Sequence, residues 1–294
     1  AYEGDGLKFQ EILHNSPFAL CGKEVNPGDL ITAIDGVEIK AGEDYYPLLE
    51  GKTGEATRFT IQPAKGKAFD VTVKPISTYQ QNALLYERWV KRNERLVDSL
   101  SGGRLAYVHI EGMDSKSFRT VYRQLLNDKN RNREAVIVDT RNNGGGWLHD
   151  DVATLLSGKR YARFSPRGQY ISDEPYSKWT KPSCMLVSEN NYSDAHGTPF
   201  VYKALGIGKL IGAPVPGTMT AVWWESLNGG YVFGIPQVGT LDENGNYLEN
   251  QDLIPDIIVY NTPETLLQGR DLQLEKAVEE MLKEADAVKA KAGR

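Results

Sequence analysis

The chain has 294 residues, 40% of them hydrophobic and 25% charged, which is enough for about two compact units with buried cores. Lys and Arg number 34 against 39 Asp and Glu, and the net charge of −5 argues against a nucleic-acid binder. The longest apolar runs, such as Ala135–Val138 and Ile257–Tyr260, have only the length of strands, so we expect no membrane span.

Residues 1–77 are short in apolar runs and rich in turns, which predicts a small β-rich domain. Asp35-Gly36 separates two apolar stretches and predicts a tight hairpin, because both central residues of such a turn need a positive φ. Tyr45–Glu50 has the pattern of a short helix. Alternating apolar residues predict the strands Leu7–Leu13, Leu30–Ile34, Val37–Ile39, Thr57–Gln62 and Ala68–Val73.

Residues 78–103 predict a helical linker, in which the helix Gln80–Leu100 is followed by two glycines. Residues 104–294 then alternate strands and helices with short connections, which predicts an α/β layered domain with buried parallel strands. The predicted strands are Leu105–Ile110, Ala135–Asp139, Met185–Ser188, Leu210–Gly212 and Gly230–Ile235. The predicted helices are Ser115–Asn127, Trp147–Leu156, Ser193–Leu205 and Arg270–Ala290.

Asp139–Gly146 reads Asp-Thr-Arg-Asn-Asn-Gly-Gly-Gly and places three glycines between a buried strand and a helix. Backbone without side chains can approach a ligand closely and point several N–H groups at it, which suits a phosphate or an oxyanion. No Gly-Lys-Ser/Thr follows, and the spacing is not that of a dinucleotide-binding loop. By itself the stretch is also compatible with a purely structural turn.

Ser193 stands where a buried strand runs through a short polar turn into a helix. The free N–H groups and the dipole of a helix N-terminus favour developing negative charge, so this position suits a nucleophilic serine. The N–H of Asp194 would then be available to an oxyanion. From this turn alone, however, a plain N-cap is the commoner reason for a serine.

Taken together, these stretches resemble a known family. Gly6, Leu7, Lys8 and Phe9 stand where PDZ domains carry their carboxylate-binding loop, and residues 1–77 resemble such a domain. The linker helix, the strand after Gly103, the glycine loop and Ser193-Asp194 then follow in the order of the C-terminal-processing peptidase family of serine proteases. The chain is most similar to the tricorn branch of that family, over nearly its whole length. Asp-x-Arg-x-Asn-Gly-Gly-Gly is the most specific element.

The resemblance implies a fold and a set of site residues. The fold is an α/β catalytic core, with α+β character, of the ClpP- and crotonase-like layered type over residues 104–294, behind a PDZ-like domain at 1–77. Ser193 is implied as the nucleophile, and the oxyanion hole is implied to combine the N–H of Asp194 with that of Gly145 or Gly146. Glu249 is implied to orient the catalytic base.

The chain departs from the family in two places. Processing peptidases pair the serine with a lysine after a glycine-bounded turn, but here that position is Thr218, which disfavours the Ser–Lys dyad. The tricorn branch uses Ser with His, supported by a Glu and a further Ser. Its Glu-Asn-x-Gly stretch matches Glu249–Asp252, with Asp252 in place of glycine, and Glu225 is the reserve for this role.

The chain has four histidines, and none matches the catalytic histidine of tricorn-like enzymes, which precedes the PDZ module. We expect His14 and His109 to be structural and His149 to lie on a helix surface. His196, one turn after Ser193, would approach from the wrong side as a base and is better suited to lining a pocket. Because the chain begins at Ala1, we expect the base upstream and the isolated chain to be nearly inactive.

The function implied is that of a serine peptidase acting on peptides or unfolded proteins. A non-catalytic ligand or peptide binder stays open as the alternative, because the same core fold occurs in retinoid-binding carriers. A scaffold led by the PDZ-like domain is a third possibility. The resemblance implies a homo-oligomer, neither metal nor organic cofactor is indicated, and the compartment stays open between the cytoplasm and export.

Several other side chains are candidates for lining a substrate pocket. Trp147, Tyr192, Trp223 and Trp224 could line a pocket, although core packing is the commoner role of such residues. The carboxylates of Asp150, Asp151 and Asp194 could favour a basic substrate side chain. Cys21 and Cys184 lie too far apart in sequence for a metal motif and are expected to be inert core residues.

Overall fold

The computed structural model describes residues 3–292, and the chain divides into two compact units, 1–92 and 93–294. The boundary lies inside a long helix, α1 (Thr78–Leu100). The domain boundaries after residues 77 and 103 that the sequence suggests stay a prediction. The first two and the last two residues of the chain, which the predicted domains include, lie outside the described range. Within that range, no helix is both long and apolar enough to cross a membrane.

The first unit is built on an antiparallel sheet, which agrees with the β-rich domain expected from the sequence. Its strands are β1 (Leu7–Lys8), β2 (Leu30–Ile34), β3 (Val37–Glu38), β4 (Thr57–Gln62) and β5 (Phe69–Val73). They lie in the order β1-β2-β4-β5, with β3 paired to β2. The core includes Ile34, Phe59, Ile61 and Val71, and the partly buried Cys21 packs against it.

The hairpin predicted at Asp35-Gly36 is confirmed. Both residues have positive φ values, 49° and 85°, and they connect β2 to β3. The first strand is shorter than predicted and ends at Lys8. Beyond it, the Phe9 N–H donates to the Asp29 carbonyl and the Phe9 carbonyl accepts from the Gly28 N–H, so hydrogen bonding to the chain before β2 continues to Phe9.

The second unit contains a parallel sheet of five strands, which are β6 (Leu105–His109), β7 (Ala135–Asp139), β10 (Ser183–Val187), β11 (Lys209–Gly212) and β14 (Ile257–Ile258). They lie in the order β14-β11-β10-β7-β6. Two antiparallel hairpins stand apart from it. They are β8 (Ala162–Phe164) with β9 (Ser172–Glu174), and β12 (Thr220–Ser226) with β13 (Val232–Gly239).

Helices cover both faces of the parallel sheet, as its unbroken apolar strands predict. The helices are α2 (Ser115–Leu125), α3 (Asp128–Arg131), α4 (His149–Leu156), α5 (Asp194–Ala204), α6 (Pro263–Leu267) and α7 (Leu272–Ala292). Val136, Val138 and Met185 share one buried cluster with residues of α2, α4 and α5. The alternate strand residues point to the opposite face, and α7 packs against β6, β7, β10 and β11. Cys184 is fully buried, as expected.

Candidate active site

The glycine loop and the Ser193 turn lie at the same edge of the parallel sheet. They follow β7 and β10, which are paired in parallel, so the carboxyl ends of these strands lie side by side. The Tyr192 N–H donates to the Asn143 carbonyl at 3.0 Å, and Asn190 Nδ2 donates to Asn142 Oδ1 at 3.0 Å. Two segments that are 48 and 49 positions apart at these two contacts therefore form one surface.

Arg141 anchors the glycine loop in the interior. Its side chain is 5% exposed and contacts the carboxylate of Asp139 at 2.7 Å and that of Asp271 at 2.9 Å. Burial would raise the pKa of Asp139, but the charge and hydrogen bonds of Arg141 outweigh it and hold that pKa below its usual value. The Asp-x-Arg part of the motif is thus a buried anchor, and two of the three glycines that follow, Gly144 and Gly146, line a cavity beside Ser193.

Ser193 has a strained backbone, with φ 55° and ψ −124°, a combination that residues with a Cβ rarely adopt. Its N–H donates to Thr218 Oγ1 at 2.9 Å. Within the described part of the chain, the Ser193 side chain makes no capping hydrogen bond to α5. The N-cap explanation that the turn alone favours is therefore wrong, and the half-buried residue lines a pocket instead.

Gly145 and Gly146 are required by close approach. A Cβ on Gly145 would stand 2.6 Å from the Ser193 Cβ and 3.1 Å from the Asp194 N, and a Cβ on Gly146 would overlap the Met113 carbonyl. The Gly145 N–H donates to Asn143 Oδ1 at 2.8 Å, and the Gly145 carbonyl accepts from the Met113 N–H. Neither bond uses the N–H of Gly146, which lines the pocket with Ser193.

Asp194 is the first residue of α5, and its side chain is 1% exposed. Its Oδ2 accepts from the backbone N–H groups of Leu148 (2.5 Å) and His149 (3.1 Å), and its Oδ1 lies 2.6 Å from His149 Nδ1. The expectation that this carboxylate meets a basic substrate is wrong, because α4 occupies it. His149 is likewise no surface residue: its side chain is 20% exposed and paired.

The other three histidines are not placed to act as a base for Ser193. His196 is 1% exposed, and its Nδ1 accepts from the Thr218 N–H at 3.3 Å. Burial lowers its pKa, although the charges of Glu249 and Asp252 oppose the shift. It does not belong to the lining of the pocket, contrary to expectation. His109 is buried on β6, and burial lowers its pKa, while His14 is exposed in the first unit.

Glu249 lies next to the residues that hold the serine turn. Its Oε2 accepts from Thr220 Oγ1 at 2.6 Å, and the residue is half-buried. The following Asn250 N–H donates to the Gly217 carbonyl at 2.9 Å, which ties this segment to the one that carries Thr218. The reserve candidate, Glu225, is exposed on β12.

Ser193 opens onto a cavity of about 300 Å³. One wall is the face of the hairpin β12–β13 that carries Val222 and Trp224. Trp147 and Tyr192 form another part of the lining. These two side chains and that of Trp224 are each more than half exposed, so the interpretation of these three as core residues is wrong. Asp194 lines the cavity too, but its carboxylate is used by α4, so the walls are mainly apolar.

The first unit holds the segment expected to bind a peptide carboxylate. Leu7 and Lys8 form β1, which pairs with β2, and the Phe9 N–H donates to the Asp29 carbonyl at 2.9 Å. A Cβ on Gly6 would stand 3.2 Å from the Ile31 carbonyl, so glycine allows a close approach there. Leu7 and Phe9 also line an apolar groove of about 340 Å³.

Sequence reasoning missed the role of Thr218. It drew attention only because it is not lysine, yet its hydroxyl holds the Ser193 N–H and its own N–H holds His196. The hairpin strand β12 was missed as well, because it pairs only with β13 and so lacks the buried pattern of the central strands. A hydroxyl residue directly after the turn Gly212–Gly217 was the one available signal for Thr218.

Fold and site together define an α/β domain with a strained serine at a helix N-terminus, facing a glycine loop. A family model described as peptidase family S41 matches residues 104–259, more than half of the chain, so the chain belongs to this family. A second model, described as the tricorn protease PDZ domain, matches residues 2–78.

Curated relatives and a solved structure agree with this assignment. The chain is 30% identical over 279 residues to a tricorn protease of Thermoplasma volcanium, covering 93% of this chain and 26% of that protein. It is 31% identical over 289 residues to a protein of Sulfurisphaera tokodaii named as a putative tricorn-like protease C-terminal subunit, covering 97% of this chain and 32% of that one. A crystal structure of the tricorn protease superposes with a TM-score of 0.87 at 27% identity, over 97% of this chain and 28% of that chain. The chain thus spans about a quarter to a third of the length of these relatives.

Proposed function

We propose that the protein is a serine peptidase of the tricorn-like type that hydrolyses peptide bonds through an acyl-enzyme on Ser193. The observation that carries this proposal is the Ser193 side chain, which makes no cap to α5 and lines an apolar cavity beside a glycine loop. The similarity of the chain to tricorn proteases also supports the proposal.

In the proposed reaction, Ser193 Oγ attacks the carbonyl carbon of the scissile peptide bond while its proton passes to a base. The tetrahedral intermediate then loses the C–N bond, and the amine leaves with the proton. A water molecule gives a proton to the base and adds to the carbonyl carbon of the ester on Ser193, which forms a second tetrahedral intermediate. This intermediate breaks its bond to Ser193 Oγ, which takes the proton back from the base, and the carboxylic acid is released. Each of the two tetrahedral intermediates carries an oxyanion that needs donors.

We assign the donors to the N–H groups of Asp194 and Gly146. Asp194 is the first residue of α5, where N–H groups have no partner within the helix. Gly146 is preferred to Gly145 because the Gly145 N–H already donates to Asn143 Oδ1 at 2.8 Å. Removing one such donor in comparable sites lowers kcat by about 10²–10³.

The base is proposed to come from a part of the full-length protein outside both of these units. The ring of His149 is engaged by Asp194, and His196 is buried with Nδ1 accepting from Thr218. Glu249 is proposed to orient the base, since it reaches the residues beside Ser193 through Thr220. With the base supplied elsewhere, the chain in isolation is expected to be nearly inactive.

The substrates are proposed to be peptides or unfolded proteins. The apolar groove of the first unit, which Leu7 and Phe9 line, supports a role in holding peptide C-termini. The full-length protein is proposed to be a homo-oligomer, as the family resemblance implies. Light scattering on that protein tests this, and a monomer at working concentration refutes it.

The experiment for the proposed function is labelling of the full-length protein with a fluorophosphonate. We expect one label on Ser193 and loss of both labelling and peptide cleavage in Ser193→Ala. Ser226→Ala at the exposed end of β12 is the matched control and should keep both. Labelling that persists in Ser193→Ala, or cleavage that does, would contradict the assignment.

A further inference from the structure

Asp194 has two groups with opposite effects on the proposed oxyanion. Its N–H is a proposed donor that stabilises the oxyanion, whereas its carboxylate, which is 1% exposed, repels it. A negative charge that develops close to a second, uncompensated negative charge is disfavoured, more strongly in the interior than in water. The site therefore needs a positive charge against this carboxylate.

The structure supplies that charge from α4. The N-cap of α4, Leu148, makes no side-chain cap, and Asp194 Oδ2 takes over this role by accepting from the Leu148 and His149 N–H groups. The helix dipole is only a partial charge, however. His149 Nδ1 lies 2.6 Å from the remaining oxygen, Asp194 Oδ1, and is the group able to carry a full charge there.

We propose that His149 is a positioning residue of the reaction, whose imidazolium neutralises the Asp194 carboxylate so that the Asp194 N–H can stabilise the oxyanion. The inference rests on the proposed peptidase function. The same carboxylate also connects the two proposed oxyanion donors, because Asp194 Oδ2 accepts from the Leu148 and His149 N–H groups and Gly146 lies two residues before Leu148.

The surroundings of His149 keep its charged form present over a wider pH range. The hydrogen bond to Asp194 raises its pKa, burial opposes this, and the carboxylates of Asp194, Asp150 and Asp151 raise it further. The rings of Trp147 and His149 pack in a T-shaped arrangement with their centroids 5.1 Å apart. The neighbouring helix α2 carries the cationic residues Lys116, Arg119 and Arg123, but the carboxylates of Asp194, Asp150 and Asp151 have the larger effect on the pKa of His149.

The test compares wild type with His149→Gln in the full-length protein, across pH. Glutamine retains a donor toward Asp194 but carries no charge. A close opposite charge stabilises a developing negative charge by an amount equivalent to one pKa unit or more, which corresponds to about tenfold in rate. We therefore expect kcat to fall about tenfold or more, while KM stays within about twofold. The wild-type advantage should shrink as the pH rises through the pKa of His149, because the imidazolium is then lost.

Asp194→Asn distinguishes charge compensation from simple packing. Without the carboxylate there is nothing to neutralise, so His149→Gln should have little effect on kcat in the Asp194→Asn background. The exposed His14 of the first unit provides the control His14→Gln, which should leave kcat unchanged at every pH. Circular dichroism and urea unfolding of each variant show whether it is folded during the assay.

The outcomes separate the two claims. If the fluorophosphonate labels Ser193 and His149→Gln leaves kcat unchanged, the inference about His149 is overturned and the peptidase proposal stands. An equal loss of kcat from His149→Gln with and without Asp194→Asn also overturns the inference. If Ser193 is not labelled at all, both proposals fall together.

Discussion

Gly145→Ala tests the close approach of the glycine loop to Ser193, the proposed nucleophile. Gly145 has φ 95°, and an added Cβ would meet the Ser193 Cβ at 2.6 Å and the Tyr192 carbonyl at 2.7 Å. The backbone strain costs about 1–3 kcal/mol and the overpacking about 1–3 kcal/mol more. The free energy of unfolding should therefore fall by about 2–6 kcal/mol.

The same substitution should also slow acylation. Because the clash is with the Ser193 turn itself, relieving it moves Ser193 or Asp194 relative to Gly146. We expect the rate of fluorophosphonate labelling to fall by about 10²–10³, as on the loss of one oxyanion donor. Urea unfolding measures the stability, and labelling reactions quenched at successive times and analysed by mass spectrometry measure the rate.

The adjacent Gly144→Ala is the matched control for stability. Gly144 does not have a positive φ, and a Cβ there would meet nothing within 4 Å. Alanine should be neutral or stabilise the fold by up to about 1 kcal/mol, since it restricts the unfolded chain. Equal unfolding free energies for the two variants would refute the reasoning, because only Gly145 has both strain and contact.

Three further predictions concern neighbouring residues. Arg141→Met leaves Asp139 and Asp271 buried without their cation and should destabilise the protein by about 3–5 kcal/mol in urea unfolding; a change below about 1 kcal/mol would contradict the anchor role. The folded-state pKa of His149 is raised, so its contribution to stability is complete below about pH 6.5 and is lost as the pH rises through that pKa. The stability difference between wild type and His149→Gln should accordingly shrink with pH, and a difference that grows would refute the sign. Trp224→Ala removes part of the apolar cavity wall and should lower kcat/KM about 10–200-fold for peptides with a large apolar side chain before the cleaved bond, with little change for an alanine peptide; equal losses would refute the pocket assignment.

Much of the framework could be predicted from local patterns. β7 has the bounds that its unbroken apolar run predicts, and the Asp35-Gly36 turn follows from the need for positive φ at two successive positions. Strand, glycine loop and Ser193-Asp194 in this order carry the family resemblance, which the family model over residues 104–259 supports.

The side-chain pairings could not be predicted in the same way. Sequence reasoning placed His149 on a helix surface and the Asp194 carboxylate toward substrate, because both face outward in a helix considered by itself. The two residues are 45 positions apart in the chain, and only the packing of α4 against α5 brings them together. The cavity wall formed by Val222 and Trp224 depends in the same way on where the hairpin β12–β13 lies relative to Ser193.

The amino-acid order by itself determined the succession of strands, the three glycines and the serine before a helix, because turn chemistry and apolar periodicity act over a few neighbouring residues. Tertiary structure decided which groups of those residues stay available. Arg141 is buried in an ion pair with Asp139, the Gly145 N–H donates to Asn143, and the Asp194 carboxylate caps α4. Hydrogen-bonding capacity is limited, and its distribution depends on partners that lie far away in the chain.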